Sequence, residues 1–256
     1  MKCRELIKLL NETAEPSLAA DWDNPGLLVG DEEKQVSRVL IAVDATDEVI
    51  DEAFECRADM IITHHPLIFK GIKRVTQDDF TGRRIIRLIQ NDMVCFAMHT
   101  NFDVSCMGDE AAERLGLANT KVLQKTSEDE GFGRVGELKE AIAVHVLCEN
   151  IKETFGLDGV KVFGDLLSMV KRVAVMPGSG SSAIEDAVRE EADVLITGDI
   201  GHHDGIDAVA KGVIVIDAGH FGIEKIFMDY MKEYLERNAK GIKVFCDDRE
   251  EPFRMV

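Results

Sequence analysis

An α/β fold built from two pseudo-repeated halves, each with a mostly parallel sheet, is the class this chain predicts. Three observations carry that reading. RVLIAVDATDEVIDEAFECRADMIITHH (Arg38 to His65) and RVAVMPGSGSSAIEDAVREEADVLITGD (Arg172 to Asp199) align without a gap at a constant offset of 134 residues, as a duplicated supersecondary unit would. Apolar runs rich in β-branched residues alternate with segments of helical periodicity. Those runs are nearly continuous rather than alternating, which suits parallel strands covered on both faces.

The elements follow in order. MKCRELIKLLNETAE becomes charged too early for a secretory signal and reads as an amphipathic helix, so the expected location is cytoplasmic. DWDNPGLLVG forms a loop leading into a strand, and its Trp22 is the only tryptophan. That ring either lids a site or anchors the N-terminal helix. RVLIAV and RVAVM are strands, as are DMIIT and DVLIT. Between them Val49, Ile50, Ala53 and Phe54, and Ile184, Ala187 and Val188, recur at helical spacing. A further strand follows in each half, MVCFAMH and GVIVIDAG, with helices beginning near Gly108 and Gly222. QKTSEDEGFGRVG is polar and glycine-rich, which places the boundary between an N-terminal half, 1–125, and a C-terminal half, 126–256.

Composition removes several function classes. The formal net charge is −18, from 48 acidic and 30 basic residues, and such a surface repels duplex nucleic acid and anionic membranes. An anionic substrate then requires a local cation that overrides the global field. No apolar run reaches the roughly 20 residues of a membrane span. The six cysteines are scattered with no Cys-x-x-Cys pair and read as reduced structural thiols. His145, in AIAVHVL, reads as a packed or edge-strand histidine.

Functional residues of parallel α/β sheets gather beyond the carboxyl ends of strands. At those positions stand His64-His65, then His99 with Asp103, then Asp199 with His202-His203, and finally His220 with Glu224. Imidazoles mixed with carboxylates suit divalent zinc, iron, manganese, nickel or cobalt. His220 and Glu224 lie one helical turn apart on one face. His64 and His65 are neighbours that an extended chain would aim in different directions, so each is expected to hold one member of a metal pair, with Asp103 or Glu224 bridging. A dinuclear site in the cleft between the halves is the expectation. His202 and His203 are orienters of ligands, substrate contacts or a helix start. Pro177-Gly178-Ser179-Gly180-Ser181-Ser182 joins a strand to a helix. Its backbone N–H groups, at Ser179, Gly180 and Ser181, either meet an anion or form an ordinary N-cap. No Gly-Lys-Ser/Thr follows, so this is not a Walker A loop.

DWDNPGLLVG, ITHHPLIFKGI, HTNFD, GSGSS, TGDIGHHD and DAGHFGIEK, in that order, closely resemble the NGG1-interacting-factor-three-like family, also called the GTP cyclohydrolase I type 2 family. The resemblance covers essentially the whole chain. Pro25 and Pro177 depart from it, standing where small or apolar residues are usual. It implies two divalent ions held by His64, His65, Asp103, His220 and Glu224, and often a homohexameric ring. It also implies a small-molecule nucleotide substrate, with metal-bound hydroxide opening the imidazole ring of GTP and releasing formate. His99, His202 and His203 would then shuttle protons. The alternative is a metal-binding adaptor or metal-handling protein without turnover. The interval between the halves is too short for the domain that longer relatives insert there.

Overall fold

The computed structural model describes residues 1–249 and 252–253. In chain order its main elements are α1 (Cys3–Thr13), β1 (Gly26–Val29), β2 (Arg38–Ala42), α2 (Asp47–Glu55), β3 (Met60–Thr63), α3 (Phe80–Gln90) and β4 (Val94–Ala97). A short helical turn, α4 (Thr100–Phe102), runs into a π-helical segment, Asp103–Met107, and then α5 (Gly108–Arg114). After it come β5 (Ala118–Lys125), β6 (Gly131–Ala143), α6 (Val144–Phe155), β7 (Lys161–Phe163), β8 (Met169–Ser179), α7 (Ile184–Arg189) and β9 (Val194–Gly198). The chain continues through α8 (His202–Ala210), β10 (Ile214–Asp217), α9 (His220–Glu224), α10 (Ile226–Asn238) and β11 (Lys243–Cys246). Among the described residues no helix is long and apolar enough to cross a membrane.

Two compact units result, one from 1–102 and 227–249, the other from 103–226. The first holds a five-stranded sheet in the order β1-β4-β3-β2-β11, parallel except for the edge strand β1. Its core packs Leu40, Ile61 and Cys95 of the sheet against Val49, Ile50 and Ala53 of α2 and Ile85 and Leu88 of α3. Burial pushes the Cys95 thiol up to about 12, as expected of a small side chain kept in a dry interior.

The second unit holds a six-stranded sheet, β5-β6-β8-β9-β10-β7. Here only β8, β9 and β10 run parallel, whereas β5, β6 and β7 pair antiparallel. The expectation of a mostly parallel sheet therefore holds for the first unit and fails for the second. The segment read as a linker between 125 and 126 is instead the tip of the β5–β6 hairpin, closed by Thr126 and Ser127 N–H groups on the Glu130 carbonyl at 2.9 and 3.1 Å. Antiparallel strands tolerate a wet face, and β6 exposes Lys139, Glu140 and Ala141. Such a strand lacks the apolar run that marks a buried parallel one. His145 is also corrected: it lies exposed in the first turn of α6, its ring on the Leu166 carbonyl at 3.1 Å.

The duplicated pattern is reproduced in register. Val39, Leu40 and Ile41 pair with Met60, Ile61 and Ile62, and 134 residues later Val173, Ala174 and Val175 pair with Val194, Leu195 and Ile196. Asp59 Oδ2 accepts from the N–H groups of Ser37 and Arg38, and Asp193 Oδ2 accepts from those of Lys171 and Arg172. Both helices end on a left-handed residue, Arg57 (φ 57°) and Glu191 (φ 54°). The next N–H then reaches back, Ala58 to Ala53 and Ala192 to Ala187, closing the orphan carbonyls of the last turn and aiming the chain into its strand. α2 starts on Thr46, whose hydroxyl accepts from Val49 N–H at 3.2 Å; Asp47 and Glu48 sit favourably at its positive end.

Candidate metal centre

In the first unit three imidazoles gather at the carboxyl ends of β3 and β4. The His64 and His65 N–H groups bond the carbonyls of Ala42 and Val43 at 3.2 and 2.9 Å, carrying the backbone just past β3. The rings do not diverge as neighbours on an extended strand would. Their centroids are 4.9 Å apart, and His99 stands 5.2 and 5.4 Å from the two. One ligand atom from each of the three lies within 4.8 Å of the others. The reason is that β3 stops at Thr63, so the two-residue alternation of a strand no longer applies.

Each ring is oriented from behind. His64, fully buried, places Nδ1 2.8 Å from the Met98 carbonyl. His65 Nδ1 lies 2.9 Å from Asp44 Oδ1, and His99 Nδ1 lies 2.7 Å from Asp23 Oδ1. A carbonyl or carboxylate behind Nδ1 fixes the tautomer and leaves the Nε2 lone pair for an ion or proton. Asp23 is held further by the Thr100 N–H and hydroxyl, at 3.0 and 2.5 Å. Burial pushes its carboxyl up, but the hydrogen bonds from His99 and Thr100 outweigh that and hold it at about 2. Trp22 is 63% exposed and meets His99 and Phe69 edge-on, with centroids 6.1 and 5.9 Å away. The ring thus stands beside His99 and Phe69.

The second unit builds its own donor set around α9. His220 Nε2 lies 3.1 Å from Glu224 Oε2, one turn on, and His220 Nδ1 lies 2.7 Å from Asp199 Oδ2. Glu224 is 3% exposed, and a carboxylate that deeply buried requires a cation or a proton. Two ligand atoms on one tetrahedral ion, each about 2.0–2.2 Å from it, stand roughly 3.3–3.5 Å apart. The His220–Glu224 separation of 3.1 Å is a few tenths of an ångström shorter than that, and an imidazole nitrogen beside a buried carboxylate is a donor pair of the kind a divalent ion takes. Gly178, in β8 at φ 76°, backs the pair: a Cβ there would overlap Glu224 Oε1 and lie 3.8 Å from His220 Nε2. Asp217 ties the surrounding loops, accepting from Ile200 N–H and Lys161 through Oδ2 and from Gly219 N–H through Oδ1.

Asp103 opens the π-helical segment after α4, half-buried. Such segments recur where a helix must present a functional side chain. Of the remaining expected site residues, His202 and His203 are exposed on the first turn of α8, their centroids 5.2 Å apart. Ser179 ends β8, Gly180 is buried with its N–H on the Gly198 carbonyl at 3.4 Å, and Ser181 begins a 3-10 turn before α7. Sequence reasoning passed over Asp23, Asp44 and Asp217, and gave Asp199 no orienting role. Their signal was present as a carboxylate within three residues of a strand or a motif glycine, but only folding shows which imidazole each one meets.

Comparison with known proteins places the chain in a family. The model of the Duf34/NIF3 (NGG1p interacting factor 3) family matches residues 1–252. A protein named GTP cyclohydrolase 1 type 2 homolog from Clostridium perfringens is 34% identical over 262 residues, covering 100% of both chains. One of the same name from Clostridium acetobutylicum is 37% identical over 241 residues, covering 92% of this chain and 90% of the relative. The crystal structure of a Bacillus cereus protein related to NIF3 superposes with a TM-score of 0.93 at 26% identity, covering 100% of this chain and 99% of that one. The chain belongs to the Duf34/NIF3 family.

Proposed function

We propose that this protein is a divalent-metal-dependent hydrolase acting on a purine nucleotide, with two ions per chain held by His64, His65, Asp103, His220 and Glu224. The observation that carries the reading is the treatment of the imidazoles. His64, His65, His99 and His220 each have Nδ1 engaged by an oxygen acceptor, which is how proteins present Nε2 to a metal. Zinc, iron, manganese, nickel and cobalt all accept such donors.

A divalent ion in such a site lowers the pKa of water and polarises the substrate. The chain's own residues do the rest. Asp44 and Asp199 hold His65 and His220 in the ligating tautomer, and Gly178 leaves room for Glu224 behind His220. His99, fixed by Asp23 and met edge-on by Trp22, offers Nε2 as the proton-transfer group. The exposed His202 and His203 pass protons to solvent. The GTP ring-opening reaction is taken from the names of the relatives, and a homohexamer belongs to the same proposal.

The test is turnover. Full-length protein reconstituted with each metal in turn should release formate from GTP, bind two ions per chain and lose formate release in Glu224→Ala. Light scattering gives the oligomer. Tight metal binding without turnover on any of the metals would assign the protein to metal handling instead.

A further inference from the structure

A basic stretch stands out in this acidic chain, and it borders His65. Residues 66–90 carry Lys70, Lys73, Arg74, Arg83, Arg84 and Arg87 against only Asp78 and Asp79, in a chain of net charge −18. Arg83, Arg84 and Arg87 converge on one carboxylate, Asp47, at 3.4, 3.3 and 3.4 Å. Asp51 takes a second contact from Arg87. Three guanidiniums on two carboxylates leave positive charge over. The buried Nε–H of Arg84 meets no acceptor among the described residues, and Lys70 makes no ion pair among them.

Between this cluster and His65 lies a recess of about 500 Å³ whose walls include Thr46, His65, Phe69, Lys70, Phe80 and Arg84. Its volume is in the range of small-molecule sites, about 300–1,000 Å³. Arg84 is seated on the Phe80 ring at 5.2 Å, which fixes the guanidinium and displaces water from one of its faces. In such partly desolvated surroundings a cation holds an anion more strongly than in bulk water. Two carboxylates share the lining, Asp44 engaged with His65 and Asp79 accepting from Gly82 N–H at the start of α3.

We propose that this recess binds the phosphoryl groups of the substrate, with Lys70 and Arg84 as the contacts, leaving the opposite end of the molecule at His65. The proposal rests on the hydrolase reading only for what happens at His65; the anion site itself does not need turnover. It answers how so acidic a protein would hold a polyanion, and it makes the substrate class a phosphorylated small molecule.

Inorganic pyrophosphate is the probe, titrated into the full-length protein by calorimetry and by the fluorescence of Trp22, which packs on the Phe69 of the recess wall. Saturable binding is expected, weakened at least tenfold by Lys70→Gln and by Arg84→Gln and falling with added salt. In turnover the same variants should raise KM for GTP and leave kcat unchanged. Because Arg84 also braces Asp47, the exposed Lys70 is the cleaner variant. Three results overturn the proposal: no saturable binding; binding lost in His65→Ala but kept in both cation variants, which puts pyrophosphate on the metal ligands; or a mixed-sequence oligonucleotide bound more tightly through Lys70 and Arg84. Pyrophosphate binding without formate release refutes the hydrolase reading and leaves this one standing.

Discussion

Gly178→Ala separates a role in the donor set from a role in the backbone. At φ 76° an alanine costs about 1–2 kcal/mol, from the clash of Cβ with the adjoining carbonyl. Any left-handed glycine would lose that much. What distinguishes Gly178 is its neighbour, because the new methyl overlaps Oε1 of a Glu224 that is 3% exposed. The carboxylate has little room to retreat and must tilt away from His220 Nε2. Disturbing the support of a metal ligand costs typically 10–100-fold in affinity, or about 1.4–2.7 kcal/mol. Gly212 supplies the control: it has φ 89° and nothing within 4 Å of a Cβ. Both variants should lose the left-handed backbone cost in thermal unfolding, Gly178→Ala somewhat more because of the overlap, while only Gly178→Ala loses metal in equilibrium dialysis followed by elemental analysis. If Gly178→Ala keeps wild-type metal content and affinity, Glu224 and His220 are not ligands of a common ion and the donor set is misassigned.

Three further outcomes follow from the same geometry. Asp199→Asn should weaken metal binding about 10–100-fold by releasing His220 Nδ1 from its 2.7 Å contact, a loss that calorimetric titration with zinc would register; an unchanged affinity removes Asp199 from the site. Asp23→Asn should lower kcat for formate release by about 10²-fold, since an amide can hold His99 in the wrong tautomer, with metal stoichiometry intact; loss of metal instead would make His99 a ligand. Asp59→Asn should cost about 1–2 kcal/mol, the discounted worth of hydrogen bonds to a partly exposed carboxylate. Burial pushes the Asp59 carboxyl up, but the Ser37 and Arg38 bonds bring it below the usual range. The contribution is therefore present above the ordinary aspartate pKa and fades as pH falls through the lower folded value. Denaturant midpoints should accordingly differ at pH 7 and converge in strong acid; a gap that persists there would assign the effect to packing.

How far the fold was legible depended on which faces of each strand are dry. The repeat at offset 134 was visible because both copies bury a parallel strand–helix–strand unit, and burial forces apolar residues into the same slots: Leu40 and Ala174, Ile61 and Leu195, Ala53 and Ala187. The conserved geometry extends to polar residues for the same reason, since Asp59 and Asp193 each cap the incoming strand from an equivalent corner. β6 escaped notice because its second half is not buried, with Lys139, Glu140 and Ala141 exposed, and because the Ser127–Glu130 turn has the composition of a linker. A hairpin tip and a domain boundary share the same turn chemistry; only the pairing partner distinguishes them, and β5 with its exposed Asn119, Thr120 and Lys121 gave no apolar signal of one.

The donor set was legible to a different depth. That imidazoles and carboxylates cluster at strand ends follows from parallel topology, so His64, His65, His99, Asp103, His220 and Glu224 were singled out from their positions after strands. The acceptors that orient them were not, because each comes from a different element: Asp44 follows β2, Asp23 precedes β1, Asp199 follows β9, and Met98 acts through its carbonyl. A main-chain acceptor leaves no mark in sequence. The inference about direction failed at His64-His65 for a related reason, since alternation was carried two residues beyond the strand that justified it. The cationic segment 66–90 was readable as charge from the start, yet its meaning waited on geometry. Only when Arg83, Arg84 and Arg87 are seen on one Asp47, beside a recess that reaches His65, does a basic stretch become the local field that an acidic protein needs to hold an anion.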